Sequence, residues 1–323
     1  MQHMTDALPT SEHFELKPLT DGVYAAVGHA GGGARSNAGI IDLGDRTLVF
    51  DTFMTVQAAQ DLRSAAEELT GRPASYVVNS HIHSDHWCGN QVFDAHATII
   101  ASHRTREMMP ATAEYLEQLK NDPSELERGI LEDEERLERE TDARWRATLE
   151  TSIAGMRHVL KSLPLLDFRL PDQTFEKRLV FHGTRRTAEL ITQGKGHTDS
   201  DAYLVLPEDG VVFMGDLGFF QTQPFMAYCD PEAWTAQLED MEMSAVETFV
   251  PGHGPLGTKA DVALQREYIA ALEELVARVI EAGGSVEDAV QQPLPAPFDA
   301  WLTGQMDCFE RNVRSSYRRL SGE

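Results

Sequence analysis

Cysteine is almost missing from this chain. Cys88, Cys229 and Cys308 are the only ones in 323 residues. So sparse and odd a set does not make a disulfide framework, and it fits a reducing, cytoplasmic setting. Long apolar runs are missing too. No stretch reaches the roughly 18 apolar residues that a membrane-spanning helix needs. The opening Met1-Gln2-His3-Met4-Thr5-Asp6 carries no apolar signal-peptide core. Lysine is scarce beside arginine, and cations as a whole are outnumbered. There are 28 Lys plus Arg against 52 Asp plus Glu, a formal net charge of -24. So acidic a chain repels phosphate backbones, which weighs against nucleic acid as a partner. The same composition is compatible with a salt-adapted host, although a high-GC genome gives the same arginine bias. No Ser-His-Asp or Cys-His arrangement, no phosphate-binding glycine motif and no solenoid-period repeat stands out.

Histidine is what the chain does have. Five of its 12 histidines fall in short, glycine-flanked or tightly spaced elements. The densest is His81-Ile82-His83-Ser84-Asp85-His86, followed by Trp87-Cys88-Gly89-Asn90. Imidazole and carboxylate are good ligands for zinc and similar divalent ions. One chelating loop cannot surround two ions, so further ligands must come from elsewhere. Gly196-His197-Thr198, Gly215-Asp216 and Pro251-Gly252-His253-Gly254 each follow an apolar or strand-like run.

H-x-H-x-D-H, then G-H-T, then G-D, then P-G-H-G, in that order, resembles the metallo-β-lactamase superfamily. The likeness runs from about Asn37 to Gly257. It implies an α+β fold, a four-layer αββα sandwich of two similar halves with the metal site at their seam. Residues 1–323 are then expected to form a single domain, with a helical insertion at 104–163 and C-terminal helices at 259–323. The resemblance also implies two divalent metal ions, zinc by default, although iron or manganese suits the same ligands. His81, His83 and His197 would hold one ion. Asp85, His86 and His253 would hold the other, and Asp216 would bridge them. An aspartate in the place of Asp51 supports the metal loop from behind in the superfamily.

The chemistry follows from the ligand types. Three histidines leave a fourth position for water, the pattern of a catalytic zinc. A water between two ions becomes hydroxide near neutral pH and attacks a carbonyl, whose oxyanion the ions stabilise. Asp85 is the candidate catalytic residue, orienting the nucleophile or shuttling its proton. The expected protein is a cytoplasmic dinuclear-metal hydrolase acting on an ester, lactone, thioester or amide of a small molecule. Alternatives are a β-lactam hydrolase, a mononuclear iron persulfide dioxygenase and a non-catalytic metal-binding or scaffold protein. The aspartate at 216 counts against the first, since secreted β-lactamases place cysteine or serine in that region. The full ligand set counts against the other two. Ser80 replaces a common threonine. Asp199-Ser200-Asp201 replaces the frequent Pro-Gly after the second motif and could add a carboxylate near the metals.

Other stretches supply context. Strands are expected at 22–27, 37–41, 47–50, 75–79, 97–101, 175–181, 187–192, 202–206, 211–214 and 248–250. Helices are expected at 56–69, 231–243, 259–282, 285–291 and 298–320. The charge-rich 104–163 segment carries apolar residues at helical spacing, Leu131, Leu137, Trp145 and Leu149 among them. It reads as two or three helices that form a lid, a homodimer contact or a solvated elaboration. Cys88 is expected to be a small buried residue, and Trp87 to pack or to wall the site. His29 is a candidate to overhang the pocket. Phe219, Phe220, Phe225 and Tyr228 are expected to line an apolar pocket or join the core. His3, His13, His96, His103, His158 and His182 have no motif context and read as structural or surface residues.

Overall fold

Runs such as Gly39-Ile40-Ile41 and Val77-Val78 place apolar side chains on both faces of a strand, so their sheet must be covered on both sides. The computed structural model, which describes residues 7–93, 96–301 and 308–322, shows how. In chain order the first part contains β1 (Phe14–Thr20), β2 (Val23–Gly28), β3 (Ala38–Asp42), β4 (Thr47–Phe50), α1 (Val56–Thr70), β5 (Tyr76–Val78) and β6 (Thr98–Ser102). Three helices follow, α2 (His103–Asn121), α3 (Ser124–Arg139) and α4 (Ala143–Ser162), and then β7 (Gln173–Phe175). The second part contains β8 (Arg178–His182), β9 (Thr187–Gly194), β10 (Asp201–Leu206), β11 (Val211–Phe219), α5 (Pro231–Met243) and β12 (Thr248–His253). It closes with α6 (Lys259–Glu281), α7 (Val286–Val290) and α8 (Cys308–Ser321).

The strands form a seven-stranded sheet in the order β1 to β7 and a five-stranded sheet in the order β12-β11-β10-β9-β8. Ile40, Val49, Val77 and Ile99 face Ala58 and Leu62 of α1 and Leu149 and Ile153 of α4. Their neighbours Ile41, Phe50, Val78 and Ile100 face the other way, onto Leu190, Leu204, Val211 and Phe213 of the second sheet. Tyr203, Val212 and Met214 cover the far side of that sheet against Trp234 and Leu238 of α5 and Tyr268 and Leu272 of α6. Helix, sheet, sheet and helix therefore stack as an αββα sandwich. Each fully buried aliphatic or aromatic side chain stabilises it by roughly 1.5–3 kcal/mol. No helix among the described residues is long and apolar enough to cross a membrane.

The helix ends follow local chemistry. Thr55 caps α1 by accepting from Ala58 N–H, and Gly71 closes it in the left-handed region. Thr258 and Asp261 form a capping box on α6. The segment expected as an insertion is three helices, and its last one belongs to the core: Leu149 is fully buried, whereas Leu131 on α3 is 60% exposed.

Several expectations need correction. The expected strand 175–181 is two strands, since β7 ends the first sheet at Phe175 and β8 opens the second at Arg178. Strand β1 was not expected, because Pro18 interrupts it and only Phe14 and Leu16 are buried along it. The strands expected at 211–214 and 248–250 continue to Phe219 and His253, across their own glycines. The helix expected at 298–320 is a single 3-10 turn at Phe298–Ala300 and then α8. The stretch 302–307 between them, like His3, lies outside the described residues.

Asp42 pins the sheets together at one edge. Its carboxylate accepts from Gly44 N–H at 2.9 Å and Arg72 at 2.6 Å, and it faces Arg185, in the turn between β8 and β9 of the second sheet, at 3.1 Å. Burial pushes its pKa up, but Gly44 and the two arginines outweigh this and hold it below the ordinary value. A lowered carboxyl pKa stabilises the fold above the unfolded value near 4 and stops doing so as pH falls through the folded value. Asp42→Asn is expected to lose about 1–3 kcal/mol at neutral pH. Urea unfolding should show that deficit closing as pH drops to about 3.

Candidate metal centre

The centre is assembled from strand ends. β5 stops at Val78 and hands the chain to the histidine loop, whose supports are all buried. Asp51, just past β4 and itself at φ 59°, accepts Ser80 N–H, Ser80 Oγ–H and His86 Nδ1–H, each at 2.8 Å. Asn79 and Asn90 exchange amide hydrogen bonds at 2.9 Å, and Thr52 N–H donates to His86 O at 2.9 Å. Trp87 Nε1–H closes the loop on Ile82 O at 2.9 Å.

The other half of the site comes from the second sheet. His197 lies in the turn between β9 and β10. Asp201 fixes that turn by accepting from Thr198 N–H and Oγ–H, both at 2.7 Å. The indole of Trp234 packs 5.3 Å from the His197 ring. Asp216 sits within β11, and His253 ends the parallel neighbour β12. A Cβ on Gly252 would collide with Asp216 Oδ1, so glycine is needed there for close approach. Asn37 ties this loop to the first sheet, donating to Pro251 O and Gly254 O at 2.9 Å.

All seven candidate ligands meet at the seam, in two groups. His81, His83, His197 and Asp216 form one, and Asp85, His86 and His253 form the other, with donor atoms in each within 4.8 Å of one another. Asp216 reaches both. Its Oδ2 lies 3.4 Å from His81 Nε2 and 3.2 Å from His197 Nε2. Its Oδ1 lies 3.0 Å from His86 Nε2 and 3.2 Å from His253 Nε2. Asp85 Oδ2 is 3.4 Å from His253 Nε2.

These residues fit divalent metal. His81 Nε2, His86 Nε2 and Asp216 Oδ1 are buried without an aligned hydrogen bond. A buried orphan costs about 1–3 kcal/mol, and several facing one point are accounted for by a cation. Burial raises the Asp216 pKa, but His86, His253 and His81 outweigh it and hold the carboxyl well below its usual range. Burial also pushes His86 down, but Asp216, Asp85 and Asp51 outweigh it and raise it well above an ordinary histidine. Asp51 is raised, chiefly by burial. The 2.8 Å contact between His86 Nδ1 and the Asp51 carboxylate suits a histidine that carries its proton on Nδ1. That tautomer leaves Nε2 free as a ligand.

The remaining candidates divide. Cys88 is buried, its thiol pKa raised by burial. Trp87 is fully buried packing. His29 is exposed and bonds the Glu12 carbonyl, away from the centre. Phe219 stacks on His253 at 4.9 Å and Phe225 meets His83 edge-on at 6.1 Å. Phe220 is core, and Tyr228 is 73% exposed. Asp199 pairs with Arg104 at the surface and not with the ligands. Asn79, Asn90 and Trp234 were not singled out in the sequence, because each acts through contacts that only the fold creates.

A metal-binding His/Asp centre on an αββα sandwich defines the class, and the comparisons agree. The profile of the metallo-beta-lactamase superfamily matches residues 31–253. The chain belongs to that superfamily, whose members are generally hydrolytic. Among solved structures, a metallo-beta-lactamase from Pontibacter korlensis aligns at TM-score 0.56 and 15% identity, over 80% of this chain and 99% of that one. One from Erythrobacter litoralis aligns at 0.56 and 14%, over 81% and 98%. A stereoselective inverting sec-alkylsulfatase from Pseudomonas sp. aligns at 0.66 and 16%, over 95% of this chain but 50% of that one. No curated protein matches in sequence.

Proposed function

We propose that the protein is a dinuclear metallohydrolase that cleaves an ester, lactone, thioester or amide of a small molecule. The observation that carries this reading is Asp216, whose two oxygens each face one histidine group. Zinc is the default metal, with iron and manganese compatible with the same ligands. Bound there, two ions would lower the pKa of a shared water and polarise the substrate carbonyl. The protein's own part is positional. His81, His83 and His197 on one side and His86 and His253 on the other hold the donors in place. Asp85, 23% exposed at its side chain, is open enough to accept and return a proton. Phe219 and Phe225 keep the histidine faces dry.

Acid release at constant pH against lactones, thioesters, simple esters and β-lactams tests the proposal. A secondary alkyl sulfate joins the panel because the alkylsulfatase aligns with nearly the whole chain. Turnover of one carbonyl class should disappear with chelator and return with zinc. Protein verified to hold two metals per chain that hydrolyses no carbonyl substrate would overturn the reading. One iron per chain with oxygen uptake on persulfide would replace it with a dioxygenase.

A further inference from the structure

The irregular segment 221–229, between β11 and α5, is fastened to the metal loops at both ends. Phe220 N–H donates to His253 O at 3.1 Å, and Asp230 N–H donates to Gly196 O at 2.9 Å, beside His197. In the middle, the Phe225 ring meets the histidine loop, edge-on to His83 at 6.1 Å. Its chain neighbours Pro224 and Met226 are buried, but Phe225 itself is only half-buried. Tyr228 packs on it with centroids 5.9 Å apart and is open to solvent. His83 is also the open histidine of its group. Its side chain is 25% exposed, against 0% for His81 and 1% for His197. Phe225 therefore stands at the accessible side of the centre.

Helix α8 holds this segment from behind. Asn312 is fully buried, and its amide meets the backbone on both sides of Phe225. Oδ1 accepts from Met226 N–H and Nδ2–H donates to Pro224 O, both at 2.7 Å. Those two groups belong to the peptide bonds that flank Phe225, so one side chain clamps the residue before and after its Cα. Ser315, one turn on, donates from Oγ to Ala227 O at 2.9 Å. A buried amide that satisfies two backbone groups keeps them from being orphaned and fixes their conformation. The ring it holds gains from any apolar group that covers its open face, because apolar area then leaves water.

We propose that Phe225 is the subsite for an apolar remainder of the substrate, and that Asn312 is the positioning residue that holds it beside His83. The subsite rests on the hydrolase reading above for its substrate, but it is tested by binding alone. The probes are straight-chain hydroxamates from acetohydroxamate to octanohydroxamate. Their common head chelates zinc whatever reaction the centre performs, so the chain reports on the wall beside it.

Calorimetric titration of the zinc-loaded protein should show affinity rising about two- to fourfold per added methylene over several successive members. In Phe225→Ala that factor should fall to about one. In Asn312→Ala it should fall as well, with the ring present but no longer held. Asn312→Asp keeps an acceptor for Met226 N–H and should lie between. A flat series in the wild type, or the same factor in Phe225→Ala, would overturn the subsite. A lower melting temperature in Asn312→Ala with the full factor kept would overturn its positioning role. If Asn312→Ala fails to fold or to hold zinc, Ser315→Ala decides: it should lose part of the factor, and an unchanged series there overturns positioning by α8. Graded binding without turnover of any carbonyl substrate upholds the subsite and sinks the hydrolase reading. Turnover with a flat series does the reverse.

Discussion

Asp216→Ala is expected to strip most of the bound metal and to lower kcat/KM by at least ~10³, since a metal site supplies several kcal/mol and each 1.36 kcal/mol is a factor of ten. Among the described residues, no other carboxylate reaches both histidine groups. Oδ1 stands 3.0 Å from His86 Nε2, and Oδ2 stands 3.2 Å from His197 Nε2. Without it, either group must hold its ion on fewer ligands, and the imidazoles lose their central counter-charge. His86 is pushed up in part by this same carboxylate. Its removal therefore also changes how protons and metal compete for the site. Metal content by mass spectrometry, read beside turnover, checks this. Asp216→Asn keeps the shape and one acceptor, and should retain more metal than alanine does. Two ions retained per chain with activity within about tenfold of wild type would show that Asp216 is not the bridge.

Asp51→Ala should have the largest effect of any change outside the ligands. Three donors converge on this one buried carboxylate: the Ser80 amide, the Ser80 hydroxyl and His86 Nδ1–H. Leaving them unpaired costs about 1–3 kcal/mol each before relaxation, a large part of a typical stability of about 5–15 kcal/mol. The His86 tautomer is also released, and loss of such a supporting partner weakens metal binding by roughly 10–100-fold. Asp51→Asn separates the two effects. Asparagine tolerates the left-handed backbone and still accepts one hydrogen bond. It should recover most of the melting temperature and less of the affinity. Competition with a chromophoric chelator measures the affinity, and a thermal melt measures the fold. Unchanged values of both in Asp51→Ala would remove Asp51 from the support of the loop.

The convergence of the seven side chains was legible in the sequence for a physical reason. Chelation by one loop needs ligands a few residues apart, and ligands at strand ends need glycine beside them. Both leave local marks, as at His81-Ile82-His83 and Pro251-Gly252-His253. The sandwich was legible through the resemblance that the ordered motifs carry, and strands such as Ile40-Ile41, apolar on both faces, fit it. Strand β1 was not, since only Phe14 and Leu16 along it point inward and Pro18 interrupts it. The division at Phe175 and Arg178 was hidden because an apolar run does not say which sheet it joins. Asn79, Asn90 and Trp234 act through partners brought near by folding, and their local patterns resemble any turn or helix.

The crossing between sheets has a consequence for the centre itself. Everything up to β7 supplies His81, His83, Asp85 and His86, and everything from β8 onward supplies His197, Asp216 and His253. His83 and His197, 3.0 Å apart in space, are 114 residues apart in sequence. The link between the halves, Glu176-Lys177, is exposed. Neither half alone owns a complete ligand group, because Asp216 is needed on one side and His253 on the other. A chain opened at that link would bind metal as a two-fragment reaction, with occupancy rising as the product of the fragment concentrations. The centre thus works as a coincidence detector for its own protein: it fills when both halves are present and docked.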